Sequence, residues 1–141
     1  MIYIFLAALF YTGAIMLGTT AARNANTAVI STIMNVVSAI IPLAVAIPAV
    51  VKNGLGNQKL GIIYALLAGI AIALFTLALN KSYAVNKVAV VAPIVFGGAI
   101  FLSAILSYFF FKEKIGLIQG VGLAVLAIGL LLIIYARVTG K

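Results

Sequence analysis

Residues 88–135 read VAVVAPIVFGGAIFLSAILSYFFFKEKIGLIQGVGLAVLAIGLLLIIY, two long apolar runs with Lys112-Glu113-Lys114 between them. The runs, Val88 to Phe111 and Ile115 to Tyr135, each hold roughly 20 residues, enough for a helix to cross the ~30 Å hydrocarbon core of a bilayer. Three charged residues leave no room for a loop, so these two helices should form an antiparallel hairpin. The pattern continues upstream, with spans near Ile2 to Thr20, Thr27 to Val51 and Leu60 to Asn80. Between them lie Asn24 and Asn26, then Asn53-Gly54 with Gly56-Asn57, then Lys81 to Lys87, turn-forming or charged residues where the chain must meet water. The expected fold is an all-α integral membrane protein of five transmembrane helices, one transmembrane domain over residues 1–141. The first span reads as a retained helix, since it lacks a basic leader and Arg23 follows the apolar run.

Composition excludes other classes. Hydrophobic residues make up 67% of the chain and charged residues 7%, unlike any ordinary soluble domain. The net charge of +8 is spread singly or in pairs between apolar runs, without the basic stripe or stacking platform that nucleic acid requires. Lipid headgroups are the expected contacts. With no Cys and no His there is no metal site of the thiolate or imidazole type, and no cofactor is implied. Ser/His/Asp sets, paired carboxylates and a phosphate loop after a strand are all missing, so no catalytic residues are assigned and an enzyme reading is rejected.

The basic residues carry topological information. Lys52, Lys59, Lys112 and Lys114 fall on one side of the expected membrane, and Arg23, Lys81, Lys87, Arg137 and Lys141 on the other. Four against five is no clear excess, so the positive-inside rule sets no orientation and insertion both ways up is expected. An odd number of spans means that a second copy fused after this one would begin on the opposite side. Such a fusion is an inverted repeat, the plan on which many transporters enclose a site near the midplane.

Ala78-Leu79-Asn80, Ala92-Pro93-Ile94, Leu106-Ser107-Tyr108 with Phe111-Lys112-Glu113-Lys114, then Gln119-Gly120 and Gly129 form a series of small-residue motifs. From about Leu60 to Ile134 this series resembles the EamA-type repeat of the drug/metabolite transporter superfamily. Full-length members resemble two five-helix halves fused in inverted orientation, and this chain is similar to the small bacterial and archaeal members with one half. The resemblance implies half of a ten-helix inverted-repeat transporter, in a prokaryotic plasma membrane, that exports or exchanges small metabolites or drugs as an antiparallel homodimer. The alternatives are a non-transporting membrane assembly subunit and a parallel oligomeric channel.

Polar residues inside the spans are the candidate site. Ser31, Asn35, Ser38 and Pro42 are spaced at four, three and four residues and share one helical face. Gly69, Ala73, Thr76, Asn80 and Tyr83 form a second stripe, in which Tyr83 reads as an interfacial anchor. Such stripes serve either as a cavity wall or as interhelical hydrogen-bonding groups. Tyr11, Asn35, Ser38, Thr76 and Ser103 are taken as the solute-binding set, in a cavity between the first four helices of two copies. Pro93 removes a backbone donor and Gly97-Gly98 follows, which predicts a kink and a hinge at Pro93, Gly97 and Gly98. Gly116 and Gly120 form a GxxxG motif and are assigned to helix packing or dimerisation. No span contains an ionisable carboxylate or base, so proton coupling through an intramembrane acid is not expected. The one acid, Glu113, reads as an interfacial residue paired with its flanking lysines.

Overall fold

The computed structural model describes residues 2–54 and 58–140. Gly56, Asn57 and Lys141, which figured in the loop and charge readings, lie outside the described residues. The described chain is all α, with five spans long and apolar enough to cross a membrane. α1 (Ile2–Asn24), α2 (Thr27–Asn53) and α3 (Lys59–Val85) are single helices. The fourth span consists of α4 (Val88–Ala92), a π-helical turn (Pro93–Gly97) and α5 (Gly98–Phe110), and α6 (Leu117–Thr139) is the fifth.

The helices extend beyond the apolar runs into charged sequence. Arg23, Lys52 and Arg137 sit in the last turns of α1, α2 and α6, and Lys81 lies inside α3. A cation in a last turn complements the negative end of the helix dipole, and its long stem lets the charge reach headgroup level. Ala25 and Asn26 alone separate α1 from α2. Asn26 starts α2 as its N-cap, Oδ1 accepting from the backbone N–H of Ala28 at 2.9 Å and of Val29 at 3.4 Å. Two donors that a helix start leaves open are thereby satisfied. Pro42 and Pro48 both lie inside α2 without ending it, as membrane helices tolerate.

Contacts divide the chain into two compact units, residues 1–85 and 86–141. In the first, α1, α2 and α3 pack against one another. α1 and α3 end together: Arg23 Nε donates to Tyr83 O at 3.3 Å. Burial concentrates at this end, on Thr19, Ala22, Ser31, Asn80 and Tyr83. Elsewhere the apolar side chains point outward; Phe5, Ile41 and Leu60 are 73, 75 and 71% exposed. In hydrocarbon this surface carries no penalty, and polar contacts and close packing are left to hold the helices together.

In the second unit α6 folds back antiparallel on the fourth span. Asn86 Oδ1 accepts from Arg137 Nη2 at 2.6 Å at one end, Gly97 meets Leu130 midway, and Ser107 and Gln119 share a groove at the other. The expected hairpin is therefore present. α5 ends as Phe111 N–H bonds Ser107 O at 2.9 Å, Lys112 turns into the left-handed region at φ 55°, and Glu113 N–H returns to Ser107 O at 3.4 Å. The expected disturbance at Pro93 takes the form of a wider π turn, which absorbs the missing donor without ending the span.

Candidate functional site

The two polar stripes of the first unit face each other. Ser31 on α2 is 1% exposed, and its single hydroxyl hydrogen is shared between Thr27 O at 2.7 Å in its own helix and Thr76 O on α3 at 3.3 Å. Asn80 on α3, also 1% exposed, donates from Nδ2 to Ser31 Oγ at 2.8 Å and to Met34 Sδ at 3.6 Å. One turn further along, Asn35 Nδ2 donates to Thr76 Oγ1 at 2.8 Å and to Ser31 O at 2.9 Å, while Thr76 Oγ1 donates to Ala73 O at 3.0 Å. The result is a hydroxyl–amide clasp between α2 and α3. In hydrocarbon each open donor has no water to turn to, which is why these groups pair.

Beside the clasp a cavity of about 80 Å³ opens between α1, α2 and α3. Tyr11, Met34, Phe75, Thr76, Asn80 and Tyr83 are among its lining residues. Gly18 belongs to it as well; a Cβ there would lie 3.2 Å from Met34 Cε and 4.0 Å from Asn80 Oδ1. Apart from Thr76, Asn80 and the two phenols the wall is apolar, and no formally charged side chain lines it.

Of the five residues expected to bind solute, Tyr11 and Thr76 meet in this cavity. Asn35 reaches it only through its bond to Thr76. Ser38 is exposed, and its Oγ donates to Asn35 O at 3.0 Å within its own helix. Ser103 belongs to the second unit, where it lines a groove of about 710 Å³ with Ser107, Glu113 and Gln119. Ser103 and Ser107 donate to the carbonyls of Ile100 and Ala104 in their own helix.

Sequence reasoning left Asn80 and Tyr83 out of the solute set, although their spacing from Thr76 puts all three on one face. Tyr83 was expected at the interface as an anchor, yet it is buried at 1% exposure, because α3 continues to Val85 and α1 packs over its final turns. Glu113 was expected to pair with its neighbouring lysines. Among the described residues its carboxylate makes no ion pair, and Glu113 lines the groove instead.

At the expected hinge the two glycines differ. A Cβ on Gly97 would fall 2.8 Å from Leu130 Cδ2, so Gly97 permits the close approach of α6, whereas Gly98 faces open space. Gly116 stands outside α6 as its extended N-cap, with nothing near its Cβ position, and Gly120 meets only Ile115 Cγ2 at 3.9 Å. Leu130, further along α6, is the residue that meets Gly97.

A sequence model of the EamA-like transporter family matches residues 1–135. The chain belongs to the EamA-like transporter family. The match takes in α1 and α2, beyond the stretch from Leu60 whose motifs carried the resemblance. Comparison with curated proteins and with solved structures returned no match. With five membrane-capable helices among its described residues, the EamA-like chain fits one EamA-type repeat and is a multi-pass membrane protein of a transporter family.

Proposed function

We propose that this EamA-like chain moves small organic solutes across the cell membrane as an inverted homodimer, by alternating access. The observation that carries the reading is a single EamA-type repeat with an odd number of spans, five, among the described residues. Two copies inserted in opposite orientations supply ten helices and recreate an inverted-repeat plan. The near-equal split of Lys and Arg removes the usual bias against such a pair. Tyr11, Asn35, Ser38, Thr76 and Ser103 supply hydroxyl and amide groups to the solute, directly or through the clasp. The π turn at Pro93–Gly97 with Gly98 supplies a place where the fourth span bends as one side opens. Gly116, with nothing near it among the described residues, and Gly120, which meets only its neighbour Ile115, are left for contact with the second copy.

The test is made on the intact chain in its membrane. Reporters active on opposite sides, placed at the C-terminus, both give signal if the chain inserts both ways; signal from one reporter alone refutes the inverted pair. Solute uptake or efflux by the purified chain in liposomes tests transport separately, and a chain that moves none of a broad panel of small metabolites is an assembly subunit instead.

A further inference from the structure

The hairpin of the fourth span and α6 closes at the Lys112 to Lys114 turn, and its open end carries two cations on one cleft. This cleft, of about 280 Å³, is lined by Lys87, Val90, Ile133, Ala136, Arg137 and Gly140. Lys87 and Arg137 are both exposed, so a ligand reaches their charged ends. Arg137 Nη2 donates to Asn86 Oδ1 at 2.6 Å, which ties the guanidinium to the residue beside Lys87. Its other N–H groups, and Lys87 Nζ, have no acceptor among the described residues. Glu113, the chain's one acidic side chain, lines the groove at the far end of the hairpin and neutralises neither charge. Arg137 suits the last turn of α6, but Lys87 stands where the fourth span begins, the positive end of a helix, where a cation is disfavoured. Two such cations on one cleft repel unless an anion lies between them. They form only its rim. Val90 follows Lys87 by three residues and Ile133 precedes Arg137 by four, so each helix sets an apolar side chain on the same face, one turn deeper in the membrane. The cleft is cationic at headgroup level and apolar beneath.

We infer that this cleft is a binding site for an anionic phospholipid, its phosphodiester held between Lys87 Nζ and the Arg137 guanidinium and its glycerol and chains laid over Val90, Ile133 and Ala136. The site goes beyond the transport reading and does not rest on it. A phosphodiester offers two free oxygens, one for the planar fork of Arg137 and one for the ammonium of Lys87. The cleft volume is several times the about 30 Å³ that a water molecule takes in the liquid, so a headgroup of several atoms fits. Basic pockets between membrane helices hold anionic headgroups in this way. A soluble phosphate ester presents the same anion but forfeits the apolar wall, and a choline phospholipid brings its own cation to the phosphate. Bound there, the lipid ties the start of the fourth span to the end of α6, as the Asn86–Arg137 bond does from within the chain.

The probe is dioleoylphosphatidylglycerol, titrated into the purified full chain in dodecyl maltoside micelles, with bound lipid counted by native mass spectrometry and the melting temperature followed in parallel. One lipid per chain should bind saturably and raise the melting temperature. Dioleoylphosphatidylcholine and glycerol phosphate, which lack the net charge and the chains respectively, should each bind at least tenfold more weakly. Lys87→Gln removes a side chain that has no partner among the described residues, so the lipid-free melting temperature should stay unchanged while phosphatidylglycerol binds about fivefold more weakly. Adding Arg137→Gln should weaken binding about fivefold again. Lys52→Gln with Lys59→Gln removes as much charge from elsewhere on the chain and should leave binding within about twofold of the parent, because contacts outside the cleft do not hold this lipid. The assignment is overturned by the absence of a saturable lipid, by unchanged binding in the Lys87→Gln and Arg137→Gln chain, or by an equal loss in the Lys52→Gln and Lys59→Gln chain. Glycerol phosphate bound as tightly as the lipid also overturns it, in favour of a soluble phosphate ester, and equal binding of phosphatidylcholine removes the requirement for net negative charge and overturns it too. Transport by liposomes of the parent chain is a separate measurement, and its absence leaves the lipid count unaffected.

Discussion

Ser31→Ala should expose how much the α2–α3 clasp holds. Ser31 Oγ joins two interhelical bonds, accepting from Asn80 Nδ2 at 2.8 Å and donating to Thr76 O at 3.3 Å. Interhelical hydrogen bonds in membrane proteins average about 0.6 kcal/mol and reach about 1.7 kcal/mol, so two of them give about 1.2 kcal/mol. Deletion also leaves an Asn80 hydrogen unpaired in a residue that is 1% exposed, and orphaning a buried donor costs about 1–3 kcal/mol. The two figures overlap, since the orphaned donor belongs to one of the two lost bonds, so the expected loss is about 1–3 kcal/mol, tenfold or so in the ratio of folded to unfolded chain at about 1.4 kcal/mol. Removing both partners has the opposite logic: Ser31→Ala with Asn80→Leu leaves no orphan and should recover at least half of the loss. Reversible unfolding by SDS in mixed micelles, followed by far-ultraviolet circular dichroism, measures all three variants. Ser38→Ala is the control, because its hydroxyl is exposed and bonded within its own helix, and it should stay within about 0.5 kcal/mol of the parent. The reasoning fails if Ser31→Ala is as mild as Ser38→Ala, or if the double variant is no more stable than the single one.

Asn26→Ala removes the cap that serves Ala28 and Val29, and the same unfolding assay should record a loss of about 1 kcal/mol. Gly98→Ala meets open space and should stabilise the chain by up to about 1 kcal/mol, whereas Gly97→Ala must displace Leu130 and should forfeit that gain. If Gly98 also serves as a hinge, Gly98→Ala combines a higher melting temperature with slower transport; unchanged transport removes it from that role. Adding two or three lysines to the loops around Lys52 and Lys112 should lock one orientation, seen as a signal from a single C-terminal reporter. Transport should then vanish and return when a copy with the opposite bias is co-expressed.

The five spans were legible because a bilayer demands about 20 apolar residues and the chain supplies little else. Their ends were not. Lys81 to Val85 reads as loop by charge but is helical, since a cation in the closing turns of a helix suits the dipole and still reaches water. The stripes at Ser31/Asn35 and Thr76/Asn80 were visible from spacing alone, which tells which residues share a face but not what that face meets. Tyr83 was misread for the same reason: its position along α3 is interfacial in sequence, and only the packing of α1 encloses it. Gly97 and Gly98 are identical as letters and one step apart, yet a step around a helix turns one toward Leu130 and the other into open space.

Sequence alone determined the solvent in which this chain lives, the number of times it can cross, and the near balance of charge that leaves its orientation open. Those follow from transfer free energies, which depend on composition and length and not on neighbours. The tertiary structure decided which polar groups spend their hydrogen bonds on each other and which keep one in reserve. Ser31, Asn35, Thr76 and Asn80 close the clasp, while Tyr83 Oη is buried with no partner among the described residues. A hydrogen bond is satisfied or orphaned only by atoms within about 3 Å, and such distances exist only once the helices have settled against one another.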